Sequence, residues 1–146
     1  MNILRIVIIV FIVLETSNII SLYFFPDSKL ANGIGTFKAW EKSKNDPEIH
    51  SFVKYLVNWV AGTKLIFILL LSVILYSAND QTLYLTGFAM AISIASFFWR
   101  LFPMISAMDD KNQIDPKNYS KMLGWMILAF ILIFIGATIN QYLIST

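Results

Sequence analysis

The chain contains no cysteine and a single histidine, His50. Without thiols there are no disulfides, no thiol redox chemistry, no iron–sulfur ligation and no cysteine-held zinc. One imidazole likewise excludes a bis-histidine haem and a helical H-E-x-x-H metal site. Charge is scarce too: 14% of residues are Asp, Glu, Lys or Arg, against about 25% in a typical soluble domain. The net charge of +2 comes with no basic run and no RNA-binding motif, so nucleic acid is not an expected partner. Neither a cofactor nor a metal is expected, and nothing supplies a nucleophile or redox centre, which places catalysis last among the candidate roles.

What the chain has instead is apolar surface. Of its 146 residues 58% are hydrophobic, and the mean hydropathy is +0.69. The charges cluster between Asp27 and Lys54 and between Arg100 and Lys121. That is the pattern of apolar spans joined by polar connectors. The sequence therefore predicts an all-α polytopic membrane protein, a single four-helix transmembrane domain over residues 1–146. The spans are expected at about 3–25, 52–77, 82–105 and 119–143, each meeting the ~20 residues that a hydrocarbon core requires.

Local signals punctuate these spans. Arg5 before an apolar run resembles a signal peptide, but no small-residue cleavage site follows, so the segment reads as an uncleaved first helix. Asp46-Pro47-Glu48 and Asp115-Pro116 are helix starts, with Asp as cap and Pro at the first helical position. Asp80 is the expected cap of the third helix, and Pro103 is expected to kink its exit. Between the first two spans, Leu30, Ala31, Ile34, Phe37 and Trp40 fall near helical spacing, which predicts a short amphipathic helix on the membrane surface. The second and fourth helices share Asp-Pro starts and a lysine ahead of a tryptophan. Reuse of the same interfacial residues explains that echo more simply than a duplicated hairpin.

Orientation follows from the basic residues. Connectors 26–51 and 103–118 with their flanks hold all the lysines but Lys64, and Arg100, whereas the other side holds Arg5. The positive-inside rule puts both connectors in the cytoplasm and both termini outside, with a cell (inner) membrane as the expected location.

The informative residues are polar groups inside the spans. Glu15 and Lys64 both lie ~15–18 Å deep, near the bilayer centre. An isolated charge there costs roughly 2.5–3.5 kcal/mol, so opposite charges at matching depth on consecutive antiparallel helices are expected to pair. Asn18 lies one turn from Glu15, and Asn58 shares a broad face of the second helix with Lys64. On the third helix Ala89, Ser93, Ser96 and Arg100 form one stripe and Gly87, Ala91 and Ala95 another; this side is expected to face the bundle. Glu15, Asn18, Asn58, Lys64 and Arg100 are thus candidates for a polar cleft open on the basic side, with Tyr23, Tyr55, Trp59 and Trp99 at its mouth. The bland reading is that asparagines and serines glue helices together and that Arg100 snorkels. His50 reads as solvated, and Asp109, Asp110 and Asp115 as a hydrated connector.

Three roles fit such a chain. The first is an accessory or assembly subunit of a membrane complex, its buried charges facing a neighbour. The second is a small transporter or channel, necessarily a homo-oligomer because four helices leave little room for a pathway. The third is a lipid-binding or lipid-modifying protein holding a headgroup in the cleft. In each, the lipid bilayer is a partner.

Overall fold

Helix α1 (Ile3–Phe24) begins where the Asn2 side chain accepts a hydrogen bond from the Arg5 backbone N–H at 2.9 Å. It stops at Phe25, ahead of Pro26, because a residue before proline is pushed out of the helical region. The computed structural model describes residues 2–29 and 33–145. After α1 come a turn of 3-10 helix (Ile34–Thr36) and a six-residue helix, α2 (Lys38–Ser43). Helix α3 (Pro47–Ser77) follows, with Asp46 capping its first turn as the sequence predicts. The third span is divided into α4 (Asp80–Ala95), capped by Asn79 and not by Asp80, and α5 (Phe97–Asp110), and the fourth is α6 (Tyr119–Ser145). Four helices are long and apolar enough to cross a membrane, and the protein is an all-α four-helix bundle.

The helices pack as two pairs. Helix α3 lies against α1, α4 and α5 lie against α6, and α1 and α6 meet along a shared seam. Phe11 is the hub of that seam, its ring edge-on to Phe67, Phe130 and Phe134 at 6.4, 6.0 and 5.6 Å between centroids. Edge-to-face contacts suit the ring quadrupole and fill a helix junction in which every neighbour is apolar.

The third span departs from expectation twice. Its break falls at Ser96, while Pro103 sits inside α5. The Ser96 hydroxyl donates to the Ser93 carbonyl at 2.6 Å, a back-bond that competes with the helical ladder and bends it. Second, the buried stripe of α4 is Leu83, Gly87, Met90 and Ala91; Ala89, Ser93, Ser96 and Arg100 are exposed. Small residues do face the bundle, through Gly87 and Ala91. At Gly87 the approach is so close that a Cβ would strike the hydroxyl of Thr138 on α6.

The fourth helix starts at Tyr119, not at Asp115-Pro116. Asn118 holds φ 66°, a left-handed conformation that asparagine tolerates and that a helix cannot run through. The capping carboxylate comes from the end of α5 instead. Buried Asp109 accepts from the backbone N–H groups of Asn118 and Ser120 and from the Ser120 hydroxyl, at 3.1, 3.0 and 2.7 Å. Asp109 is therefore not a hydrated connector residue; it satisfies donors that a helix start leaves open.

Both basic connectors dock on each other at one end of the bundle. Phe37 and Ile114 form an antiparallel bridge, with Lys38 N–H donating to Gln113 O and Asp115 N–H to Thr36 O, each at 2.9 Å. Lys29 adds an ion pair to Asp115 at 2.6 Å. The amphipathic helix expected here is reduced to α2, while Leu30 and Ala31 lie outside the described residues. Trp40 does not rest on a membrane surface. It is 3% exposed and packs against Leu22, Val57 and Ala61, because Gly35 allows the loop to press on the Asp27 backbone where a Cβ would collide.

The Trp40 indole and the Lys44 ammonium both donate to Asp27 Oδ1, each at 2.6 Å. The ammonium first and the indole second hold the Asp27 carboxyl below the ordinary aspartate range, and Lys44 is correspondingly raised. A depressed carboxyl stabilises the fold above its unfolded value, and that contribution is lost as pH falls through the folded one. The raised lysine contributes below its ordinary range and is lost in strong alkali. In a variant retaining Trp40 as its single tryptophan, emission stays blue at neutral pH and shifts red in acid below about pH 4. Emission unchanged under those conditions means that Asp27 does not hold the indole. His50 is half-buried rather than solvated, its ring 4.8 Å from that of Trp40. The Ser43 hydroxyl donates to the Trp40 carbonyl at 2.7 Å, so at the 2.9 Å contact with His50 the ring Nδ1 is the donor.

Candidate functional site

The α1–α3 interface is a ladder of contacts in which apolar and polar rungs alternate. At one end the Arg5 guanidinium donates to the Leu75 and Ala78 carbonyls at 2.6 and 2.8 Å. Helix α3 has no basic residue in its last turn, and Arg5 supplies from α1 the positive cap that its open carbonyls attract. Arg5 therefore works as a cap for the end of α3. A helix end lacking its own cap, at matching depth, was the available clue.

Midway along the ladder, Lys64 Nζ lies 2.7 Å from Glu15 Oε2 and 2.7 Å from Asn18 Oδ1. Each charged side chain keeps 27% of its surface exposed, while Asn18 is 6% exposed. The local sequence explains the placement. Glu15 and Asn18 are one helical turn apart and share a face, and Ala61, fully buried one turn from Lys64, lets α1 come close enough for the ammonium to reach both.

The Asn18 amide is oriented by chemistry. An ammonium donates and cannot accept, so Asn18 must turn Oδ1 toward Lys64. Its Nδ2 then lies on the other side, buried and with no hydrogen-bond partner among the described residues. An unsatisfied buried donor costs about 1–3 kcal/mol, and the fold keeps it.

A cavity of roughly 330 Å³ adjoins this group, lined by Asn18 and Lys64 at its polar end and otherwise by apolar side chains, among them Leu22, Val53, Val57 and Val60. Ile34 and Phe37 from the docked connector close the end nearest the loops. The expected cleft open on the basic side is thus roofed there. Val60 and Lys64 also line an outer groove of α3, of roughly 510 Å³, with Trp59, Thr63 and Phe67.

Of the residues singled out in the sequence, Glu15, Asn18 and Lys64 come together. Asn58 is exposed on α3, away from that contact. Arg100 does not point inward; it is exposed on α5, its guanidinium 5.9 Å from the Trp99 ring centroid. Its helix packs on α6, on the far side of the bundle from α3. Trp99, 78% exposed, is accordingly not at the cleft mouth. Tyr55 and Trp59 stack at 6.4 Å on the outer face of α3, Trp59 beside the lateral groove. Tyr23 packs against Gly62, where a Cβ would come 3.2 Å from its hydroxyl. The roof residues Ile34 and Phe37 and the wall residue Leu22 carry no chemical signature, and sequence reasoning did not mark them as part of a site.

The fold and this site define a small integral membrane bundle with a partly dry ion pair between α1 and α3. Compared with protein-family models, with curated proteins and with solved structures, the chain matches none.

Proposed function

We propose that the protein is a membrane-embedded binding module that takes up a lipid-like amphiphile from the bilayer into the crevice between α1 and α3. In this reading it sits in a cell membrane with its docked connectors in the cytoplasm and its termini outside, in accord with the distribution of basic residues. The carrying observation is the juxtaposition of an apolar cavity with a polar group at one end, the Lys64 ammonium beside the buried Asn18. Ligand sites are typically concave and apolar with a few convergent polar groups. The outer groove of α3 that shares Val60 and Lys64 with the cavity suits a ligand that stays within the membrane.

The subunit role rests on buried charges that seek a neighbour, yet Glu15 and Lys64 are 2.7 Å apart within one chain. That contact leaves less reason for a partner to supply the counter-charge. A transport role within one bundle would need a polar route, and among the described residues Asn58 and Arg100 lie away from the pair and do not extend it.

Mass spectrometry after gentle extraction tests the proposal, comparing the native chain with Val53→Phe, which fills the cavity without touching the polar group. A small-molecule adduct on the native protein that disappears in Val53→Phe is the expected result. A stoichiometric protein partner, lost in a Glu15→Gln/Lys64→Gln double variant and accompanied by no small molecule, would instead establish the subunit role.

A further inference from the structure

We infer that Arg5 holds the phosphate of a phospholipid at the end of the bundle away from the docked connectors, with an acyl chain of that lipid in the groove between α1 and α3. This site stands apart from the crevice at Lys64, since Leu75 lies eleven residues further along α3, about 16 Å at the helical rise. The groove has a volume of roughly 320 Å³ and is lined by Arg5, Ile9, Ser72, Leu75 and Tyr76. Its guanidinium is fixed before any ligand arrives. The bonds to the Leu75 and Ala78 carbonyls, at 2.6 and 2.8 Å, use two of its five N–H donors. Arg5 is half-buried, so part of its surface stays accessible. A planar fork with donors to spare matches the oxygens of a phosphate.

Charge selects the sign of the ligand. Arg5 forms an ion pair with no carboxylate among the described residues. The open carbonyls of a helix end carry only about half a negative charge, so the guanidinium keeps a net positive charge for an anion to meet. Depth selects a lipid. Arg5 stands in the first turn of α1 and its carbonyl partners close α3, which sets the guanidinium at the level of the headgroups. Ile9 and Ser72 lie one turn deeper, on α1 and α3 respectively. The Ser72 hydroxyl donates to the Ile68 carbonyl of its own helix at 2.8 Å, so below the rim the walls present no free donor. A cationic rim above an apolar trough is the complement of a phosphate above an acyl chain.

The chain has two arginines, Arg5 and Arg100, which makes the test direct. The full-length protein is labelled with nitrogen-15 arginine in micelles of an uncharged detergent, and the two side-chain Nε–H resonances are followed by NMR, Arg100 being identified by its loss in Arg100→Lys. The probes are a short-chain phosphatidylglycerol, a diacylglycerol with the same chains, and inorganic phosphate. The Arg5 resonance is expected to shift and saturate with phosphatidylglycerol and to stay put with the other two. Exposed Arg100 reports the general attraction of an anionic lipid to the micelle, and its drift should not saturate. Ile9→Trp, which fills the groove and leaves the guanidinium and its carbonyls in place, should weaken phosphatidylglycerol binding about tenfold, with circular dichroism checking the fold. No shift at Arg5, or the same unsaturated drift at both arginines, overturns the inference. So does an equal plateau with inorganic phosphate, which makes the site one for a free anion. Saturable binding of diacylglycerol, equal to that of phosphatidylglycerol, reduces the groove to an acyl-chain contact in which Arg5 plays no part.

Discussion

Replacing Glu15 with leucine is expected to destabilise the bundle by about 3 kcal/mol, the largest loss from any single change at the α1–α3 interface. The reason is the ammonium left behind. Lys64 sits midway along α3 with Glu15 and Asn18 as its hydrogen-bonding partners at 2.7 Å, and removing one partner of a buried pair costs about 3–5 kcal/mol. The lower end applies because each side chain retains 27% of its surface. Replacing both residues with leucine should recover most of the loss, since an apolar pair of similar volume needs no compensation. Denaturant titration in mixed micelles of the two single variants and the double variant yields the coupling energy directly. Additive losses would mean that the charges are independently solvated and that no dry ion pair links α1 to α3.

At the other helix pair, Gly87→Ala should cost about 1–3 kcal/mol although it adds a single methyl group. A Cβ at Gly87 would strike the Thr138 hydroxyl and come within 3.2 Å of both Thr138 Cβ and Leu4 Cδ1. Three helices meet at this point, so no flexible surface side chain can give way. In a membrane, where apolar burial between helices supplies little drive, close backbone approach is a main source of association. The discriminating variant is Gly87→Ala combined with Thr138→Ala. Thr138 is fully buried and its hydroxyl has no partner among the described residues, so truncating it alone should cost little and create the space the new methyl needs. The double variant should therefore be more stable than Gly87→Ala. A double variant no better than the single one would show that Leu4, or the backbone of α6, sets the limit instead.

The elements legible in the sequence were those whose position along the membrane normal decides the matter. Length and hydropathy set the four spans, and matched depth on antiparallel helices brought Glu15, Asn18 and Lys64 into one group. Lateral position was far less legible. A helix that is apolar on all faces carries almost no periodic signal to say which face meets protein and which meets lipid. Both stripes of the third span, Ala89–Arg100 and Gly87–Ala95, were therefore expected to face inward, and of these residues Gly87 and Ala91 do. Arg100 sits outside for the same reason. Long-range polar contacts escaped for a different one. Asp109 caps a helix that starts ten residues later across a loop, and local cap rules look only at adjacent positions. Trp40 read as interfacial because its burial depends on a glycine contact to Asp27, which no local spacing reveals.

The order in which the chain is made gives the α1–α3 ladder a further consequence. Glu15 leaves the ribosome 49 residues ahead of Lys64, and Arg5 leaves it 70 residues ahead of Leu75. During synthesis α1 thus reaches the bilayer with a carboxylate at mid-depth and a guanidinium near its end, neither of them matched. Nothing in α1 itself can settle these groups, and each carries the cost of a lone charge in or near hydrocarbon. Arrival of α3 settles both at once. A chain arrested before α3 therefore carries both charges without these partners, and a completed one carries both with them.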